Sequence, residues 1–487
     1  MGSFEIPVLE GKMSSLLKWQ TISFLSRAFA TVIGLAQSII IARLLTTAEY
    51  GLVGIVTAVG GVVGVIRHLG LVSATTRELA SVTDNKKAAK IFLSALTIRL
   101  VVAFPLSVGL FFLAKRLAFE TYQQPVTFLP FRIFAIVLFL QSIQEICNAV
   151  LAGRQKFGVL FSFQAAIALV SFALFVPLVK VWGFTGYFWA MLIYSCVTAA
   201  VLAFLGLRAL EWCLVPPTRE ELKKMAFSLL RLGLAIYVGK VLYMLWQKMG
   251  TLYLGLRVLP EEVGVFSFAI LYSMTLMVVS DAATDVNLPA MTNHLRRGKD
   301  ELRSKFLANF EKVYALMLLA GVSAMFWAKY IFHLLVGTKF DDSLVLIPPL
   351  MLAVFTYGLL SLVSSSVLVP AKILKELVIY HLILLAVTAA ALILLFTINP
   401  LLAVSWSMAL GGLASLVYLS FVCHRFNLDL WGRKIVLITL TVVPIVIAHF
   451  SVSDFWLRGG IFSMFFILYC WLLPKLGILD WRRFVNR

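Results

Sequence analysis

Charge is what this chain has least of. Only 13% of its 487 residues are Asp, Glu, Lys or Arg, whereas 61% belong to the hydrophobic set. A soluble chain carries about 25% charged residues, so too few polar side chains exist here to cover a water-facing surface. Cysteine is scarce as well. Cys147, Cys196, Cys213, Cys423 and Cys470 lie scattered in or beside apolar segments, with no C-x-x-C pair and no Cys/His cluster. That pattern implies neither a disulfide framework nor a zinc site. No Walker sequence, no G-x-G-x-x-G at a strand-to-helix turn and no H-E-x-x-H occurs, so no cofactor, no metal and no ATP hydrolysis is expected. Long polar loops are missing too: none between apolar runs exceeds about 20 residues, too short for a separate aqueous catalytic domain.

What remains is a succession of apolar runs, each long enough to cross about 30 Å of hydrocarbon as a helix. About fourteen are read, at 16–42, 50–73, 89–114, 129–151, 157–179, 184–207, 223–250, 263–292, 306–328, 344–369, 377–398, 400–423, 435–450 and 455–474. The fold class expected is an all-α polytopic membrane protein. With the N-terminus in the cytoplasm, inward loops and tails hold 26 Lys and Arg against eight in outward loops. This bias sets both termini inside. The excess of 42 Lys plus Arg over 23 Asp plus Glu therefore sits in short clusters suited to anionic lipid, which disposes of nucleic acid as a partner. Residues 1–15 contain no small-residue cleavage signature and read as a cytoplasmic tail, as do 475–487.

A weak internal repeat organises the runs. At an offset of 216, Ala74, Thr76, Asp84 and Lys87 meet Ala290, Thr292, Asp300 and Arg303. The turn Arg43-Leu-Leu-Thr-Thr-Ala-Glu-Tyr-Gly51 resembles Arg257-Val-Leu-Pro-Glu-Glu-Val-Gly264 with one residue deleted, and Leu151-Ala-Gly-Arg154 resembles Val369-Pro-Ala-Lys372. Six runs separate each pair, so the copies share one orientation. The expected plan is a six-helix N-lobe at 16–210, a linker at 211–222, a six-helix C-lobe at 223–424 related by a pseudo-twofold axis, and a helix pair at 425–474. Parallel repeats of this kind are a common transporter plan, with substrate held between halves that rock.

A charge facing lipid costs at least a few kcal/mol, so ionisable residues inside spans face a bundle interior or a wet cavity. Arg27, Arg67, Arg99, Arg132, Arg231, Lys240, Lys248 and Lys312 are basic at such positions; Glu145, Asp281 and Asp285 are acidic. Arg27, Arg67 and Lys240 lie on runs one, two and seven, and are read as binding an anionic, phosphate-bearing substrate. Arg99, Arg132 and Lys248 are further candidates. The bland alternative is that Arg67 and Arg231 snorkel to headgroups while the rest form structural pairs. Asp281 and Asp285, four apart on run eight, share a helix face and could couple an ion or pair with cations. Gln144 and Glu145, with Gln141 and Asn148, make run four polar; they either line a cavity or pack the helix.

At this point the residues carry a resemblance. Ile41-Ala-Arg-Leu-Leu-Thr-Thr-Ala-Glu-Tyr-Gly51 looks like the first-loop signature of bacterial polysaccharide-unit transporters, the oligosaccharide flippases of the multidrug/oligosaccharidyl-lipid/polysaccharide superfamily. Leu151-Ala-Gly-Arg-Gln-Lys-Phe157 is similar to their basic turn after span four, and Val336-Gly-Thr-Lys-Phe340 to their outer motif before span ten. The resemblance spans about 15–475. It implies translocation of an undecaprenyl-pyrophosphate-linked oligosaccharide across the bacterial inner membrane by alternating access, for O-antigen, exopolysaccharide or a similar polymer. The family's cationic lumen would map onto Arg27, Arg67 and Lys240. One departure is Gln247-Lys248, followed by Thr251, where many relatives carry an acid. Expected partners are the lipid-linked saccharide, membrane lipids and a polysaccharide polymerase, with the chain a monomer. The alternative is an ion-coupled multidrug antiporter of the same superfamily. A membrane polymerase or acyltransferase would need a large outer loop or a His/Asp cluster, and neither is present.

Overall fold

In hydrocarbon an apolar run has no water to bond its backbone, so it satisfies its own N–H and C=O groups as a helix. The computed structural model describes residues 26, 29–68, 70–395, 399–452 and 454–478. Side chains are excepted at 226, 228–236, 285–286, 288–290, 292–293, 296 and 299. Among the described residues all regular structure is helical. The helices are α1 (Phe29–Leu44), α2 (Thr47–Ile66), α3 (Leu71–Ala80), α4 (Asn85–Arg116), α5 (Phe128–Gly153), α6 (Phe157–Ala209), α7 (Arg219–Gly255), α8 (Pro260–Met274) and α9 (Met277–Arg297). They continue as α10 (Lys299–Val336), α11 (Ile347–Val363), α12 (Leu374–Leu395), α13 (Pro400–Arg425), α14 (Arg433–Ser451) and α15 (Phe455–Lys475). Ten described helices are long and apolar enough to cross a membrane, or eleven if the bent pair α8–α9 is one span. The protein is a multi-pass membrane protein.

Two expected spans are not straight helices. The run at 50–73 breaks after Ile66 because Gly70 takes a left-handed conformation (φ 67°), from which α3 starts afresh. The run at 263–292 bends by 41° between α8 and α9. There the Thr275 hydroxyl donates to the Tyr272 carbonyl at 2.7 Å, a local bond that competes with the helix ladder. The 53 residues of α6 are in turn two helices, for Gly183 has φ 53° and ψ −132°. A Cβ on Gly186 would lie 2.0 Å from the Leu178 carbonyl oxygen, whereas eight residues of unbroken helix rise roughly 12 Å. The chain doubles back at Gly183.

The chain divides into two compact units, Met1–Tyr237 and Val238–Arg487. The division falls inside α7, whose first half is tied to the first unit. There Lys90 pairs with Glu221 at 2.7 Å, and the Tyr237 hydroxyl donates to the Ile66 carbonyl at 2.7 Å. The Lys90 hydrogen bond holds the Glu221 carboxyl below its ordinary range. The first unit's core joins α3, α4, α5 and α6 through Leu79, Phe92, Ile146, Leu151, Phe161 and Leu202. In the second unit α14 and α15 attach to α10, where Phe326 packs with Ile445 and Phe465. Tyr469 of α15 donates to the Ala315 carbonyl at 2.8 Å, and the Arg458 guanidinium donates to that of Phe326 at 2.7 Å.

The repeated sequence turns have a shared physical content. Thr46 is a helix N-cap whose N–H donates to Glu49 at 2.8 Å while its hydroxyl accepts from the Glu49 N–H at 3.1 Å, a reciprocal capping box. In the second copy the Leu259 N–H donates to Glu262 at 3.3 Å and Pro260 opens α8; leucine has no acceptor, so half of the box remains. After α5, Gln155 adopts φ 55° and Lys156 N–H closes on the Leu151 carbonyl at 2.9 Å. Lys372 (φ 59°) and Ile373, which closes on Leu368 at 2.8 Å, repeat that turn. Glu211 (φ 54°) and Asn427 (φ 58°) repeat it again after α6 and α13. The left-handed residue and its six-residue closure satisfy terminal carbonyls.

Glycines let helices meet backbone to backbone. A Cβ on Gly411 would sit 2.0 Å from the Thr388 hydroxyl and 2.7 Å from the Leu384 carbonyl oxygen, so α12 and α13 pack with no room to spare. Gly411→Leu is therefore expected to cost about 1–3 kcal/mol or to prevent folding outright. Thermal midpoints from size-exclusion profiles of detergent-solubilised protein measure this; a midpoint equal to the parent's would refute the close packing.

Candidate functional site

The break after α2 creates the most charged point in the described interior. Where a helix stops, its last carbonyls need donors and carry the negative end of the helix dipole. Arg67 caps α2, and its carbonyl accepts from the Arg99 guanidinium of α4 at 2.5 Å. The Arg67 side chain reaches α5 instead. It donates to the Leu138 carbonyl at 3.1 Å, the Ser142 hydroxyl at 2.8 Å, the Gln141 amide oxygen at 2.9 Å and the Glu145 carboxylate at 2.9 Å. Residues 138, 141, 142 and 145 recur at the helical period, so one face of α5 presents every acceptor.

Glu145 accepts from Arg99 as well, through its second oxygen. His68 Nδ1 lies 3.0 Å from that same oxygen and 3.2 Å from the Arg99 guanidinium. Arg67 and Arg99 are 3% and 0% exposed, while the Glu145 and His68 side chains are 24% and 37% exposed. Two buried guanidiniums therefore share one carboxylate, and the cluster keeps a net positive charge. Arg67 does not snorkel to headgroups: its charge is held inward. His68 belongs to this cluster although no sequence motif singles it out. The signal was its place between a span-end arginine and a glycine that stops the helix.

The other sequence-derived residues lie elsewhere. Arg27 is outside the described residues, and the side chains of Arg231 and Asp285 are too. Arg132 lies over the rings of Phe111 and Phe128, 4.7 and 4.2 Å from their centroids, a cation–π arrangement. Lys240 and Asp281 are exposed, and Lys248 is half-buried. Gln144 donates to the Ser195 carbonyl at 2.8 Å and so joins α5 to α6. Next to Lys248, the Gln247 amide meets the Met274 sulfur at 3.9 Å. Within the second unit Tyr243 stacks on Tyr357 with centroids 4.4 Å apart, and Trp246 stacks on Tyr357 at 5.2 Å. Among the described residues no group of three or more His, Cys, Asp or Glu is placed to hold a metal.

Residues 40–345 match the family described as "Polysaccharide biosynthesis protein". No curated protein matches the chain significantly. Among solved structures, the lipid II flippase MurJ in an inward closed conformation is similar at 12% identity and TM-score 0.74, over 95% of this chain and 100% of that one. A multidrug resistance MATE family transporter of the MOP superfamily, inward-facing, is similar at 18% identity and TM-score 0.63, over 82% and 94%. The outward-facing form of such a transporter matches at 16% identity and TM-score 0.54, over 84% and 95%. The fold is that of MOP-superfamily membrane transporters, a non-catalytic class.

Removing one partner of a buried ion pair strands the other, at about 3–5 kcal/mol. Glu145→Gln preserves shape but leaves two guanidiniums facing each other, and should lower the thermal midpoint and the folded yield. Adding Arg99→Met should recover part of the loss. Additive effects of the two substitutions would show that these charges are not bound together.

Proposed function

The chain belongs to the polysaccharide biosynthesis protein family, and we propose that it is a flippase. Its substrate is an undecaprenyl-pyrophosphate-linked oligosaccharide, moved from the inner to the outer leaflet of the bacterial cytoplasmic membrane for a surface polymer such as O-antigen or exopolysaccharide. The observation that carries the cargo class is the buried excess of positive charge around Glu145. Low dielectric strengthens its attraction for a pyrophosphate and its repulsion of a cationic drug. Arg27, Arg67 and Lys240 keep the phosphate-contacting role argued from charge, with Lys248 as a further cation. Arg99 and Arg132, whose guanidiniums are engaged by Glu145 and by two rings, support helix positions. Asp281 and Asp285 remain candidates for ion coupling. Alternating access is the transport mode, in keeping with a fold known in inward- and outward-facing forms.

The proposed topology keeps about fourteen crossings, both termini cytoplasmic, and two six-helix lobes, 16–210 and 223–424, about the linker 211–222, followed by the pair at 425–474. The turn at Gly183 inside α6, the apolar α1 and the long α7 would supply the crossings beyond the ten or eleven already counted. The recurring capping turns and left-handed turns favour the repeat. A second reading, an ion-coupled multidrug antiporter, draws on the likeness to MATE transporters and on the exposed Asp281.

Arg27→Ala and Lys240→Ala are each expected to cut surface polysaccharide by about tenfold or more at unchanged protein abundance, as loss of a charge-assisted phosphate contact should. Vesicles reconstituted with the purified chain should translocate lipid-linked sugar and not a cationic drug. Full polymer output from both variants, or drug transport without lipid transport, would overturn the reading.

A further inference from the structure

Within the first unit, α1 and the two arms of α6 surround an open cavity of about 490 Å³. Thr31, Gly34 and Gln37 face it from α1; Gln164, Ser171 and Tyr194 face it from α6, the remaining wall being alanine and isoleucine. The volume falls within the range of about 300–1,000 Å³ typical of small-molecule sites. No described residue of the wall carries a charge, which separates this place chemically from the arginine cluster at the end of α2. A cation would ask for a carboxylate here, and a phosphate for a guanidinium, an ammonium or a helix N-terminus. Among the described residues the wall offers neither acid nor base.

It offers instead two carboxamides, two aliphatic hydroxyls and a phenol, each both donor and acceptor. The Ser171 hydroxyl donates to the Gln37 amide oxygen at 2.9 Å, which orients that amide and leaves its nitrogen as donor. Polar side chains in such apolar helices are costly unless water, protein or a ligand answers them. A Cβ on Gly34 would meet nothing within 4 Å, so this glycine borders open space rather than a packed neighbour, unlike Gly60 or Gly411. Tyr194 adds a ring held edge-on to Phe175 at 6.3 Å. Mixed donors and acceptors beside an aromatic face, without charge, suit a neutral polyhydroxylated ring.

We propose that this cavity binds sugar residues of the transported lipid-linked saccharide through its described, uncharged wall. The inference rests on the flippase reading for the identity of the sugar's carrier. It makes the first unit the reader of the glycan, with Gln37 and Gln164 as hydrogen-bonding groups and Gly34 as the gap that admits the ring.

The test uses the full chain in lipid nanodiscs and three probe classes. These are undecaprenyl pyrophosphate, undecaprenyl-pyrophosphoryl glucose, galactose, mannose or N-acetylglucosamine, and free methyl glycosides of the same four sugars. At least one sugar should tighten binding about tenfold over the bare lipid pyrophosphate, the worth of one or two hydrogen bonds. Its methyl glycoside should give saturation-transfer signals. Gly34→Leu, which fills open space, and Gln164→Leu, which keeps the side chain's bulk, should each erase the sugar increment and leave bare-lipid affinity unchanged. Size-exclusion profiles identify the variants that are folded. The proposal falls if no sugar adds affinity in the parent chain, or if the increment survives in a folded variant. Glycoside binding that is lost in the variants, alongside a parent chain that ignores undecaprenyl pyrophosphate, would uphold the cavity and remove the lipid-pyrophosphate reading.

Discussion

One carboxylate answers two arginines in the interior of the first unit, and much of that unit's arrangement follows from it. Each guanidinium exposed to hydrocarbon would cost about 2.5–3.5 kcal/mol or more, so α2, α4 and α5 must converge where Glu145 can reach both. The remaining donors are met by acceptors already present: the Arg67 carbonyl freed by the end of α2, the Leu138 carbonyl, Ser142 and Gln141. The break after Ile66 is thus not a flaw in a span. It supplies the carbonyl that Arg99 needs.

The second unit solves a related problem with no acid at all. Arg458, 6% exposed, donates to the carbonyls of Val452 and Phe326 at 3.0 and 2.7 Å and lies 4.5 Å from the centre of the Phe326 ring. Val452 caps the C-terminus of α14, so here too a cation sits at the negative end of a helix. The two places differ in what surrounds them. Arg458 ends among rings and backbone dipoles beneath the helix pair it secures. Each keeps one uncompensated positive charge, but the cluster at Glu145 borders side chains as accessible as those of His68 and Glu145.

Helical spans were legible because their signal is simple. Apolar runs near twenty residues long, stopped by charge or by Gly and Pro, predict a membrane helix from composition alone, and α4, α5, α10 and α13 cover the expected runs. The bends at Gly70 and Thr275 were harder: a left-handed glycine and a threonine bonding its own turn look like ordinary span residues when hydropathy is averaged. Arg67, Arg99 and Glu145 stood out as intramembrane charges, yet sequence alone pairs no one of them with another. Separations of 32, 46 and 78 residues are closed by packing, and packing also brought in His68, Ser142 and Tyr237. The neutral cavity was invisible for the opposite reason. Thr31, Gln37, Gln164 and Ser171 are too common in membrane helices to announce themselves.

The turns that close α5, α6 and α13 are held by main-chain atoms, with a left-handed residue that is Gln, Glu or Asn in each case. A bond from one peptide group to another places almost no demand on the side chain it passes beneath. Several unbranched residues are accordingly compatible with these corners, whose left-handed backbone disfavours β-branched ones. Such tolerance allows proteins with only 12% of their residues in common to trace nearly the same path through a membrane.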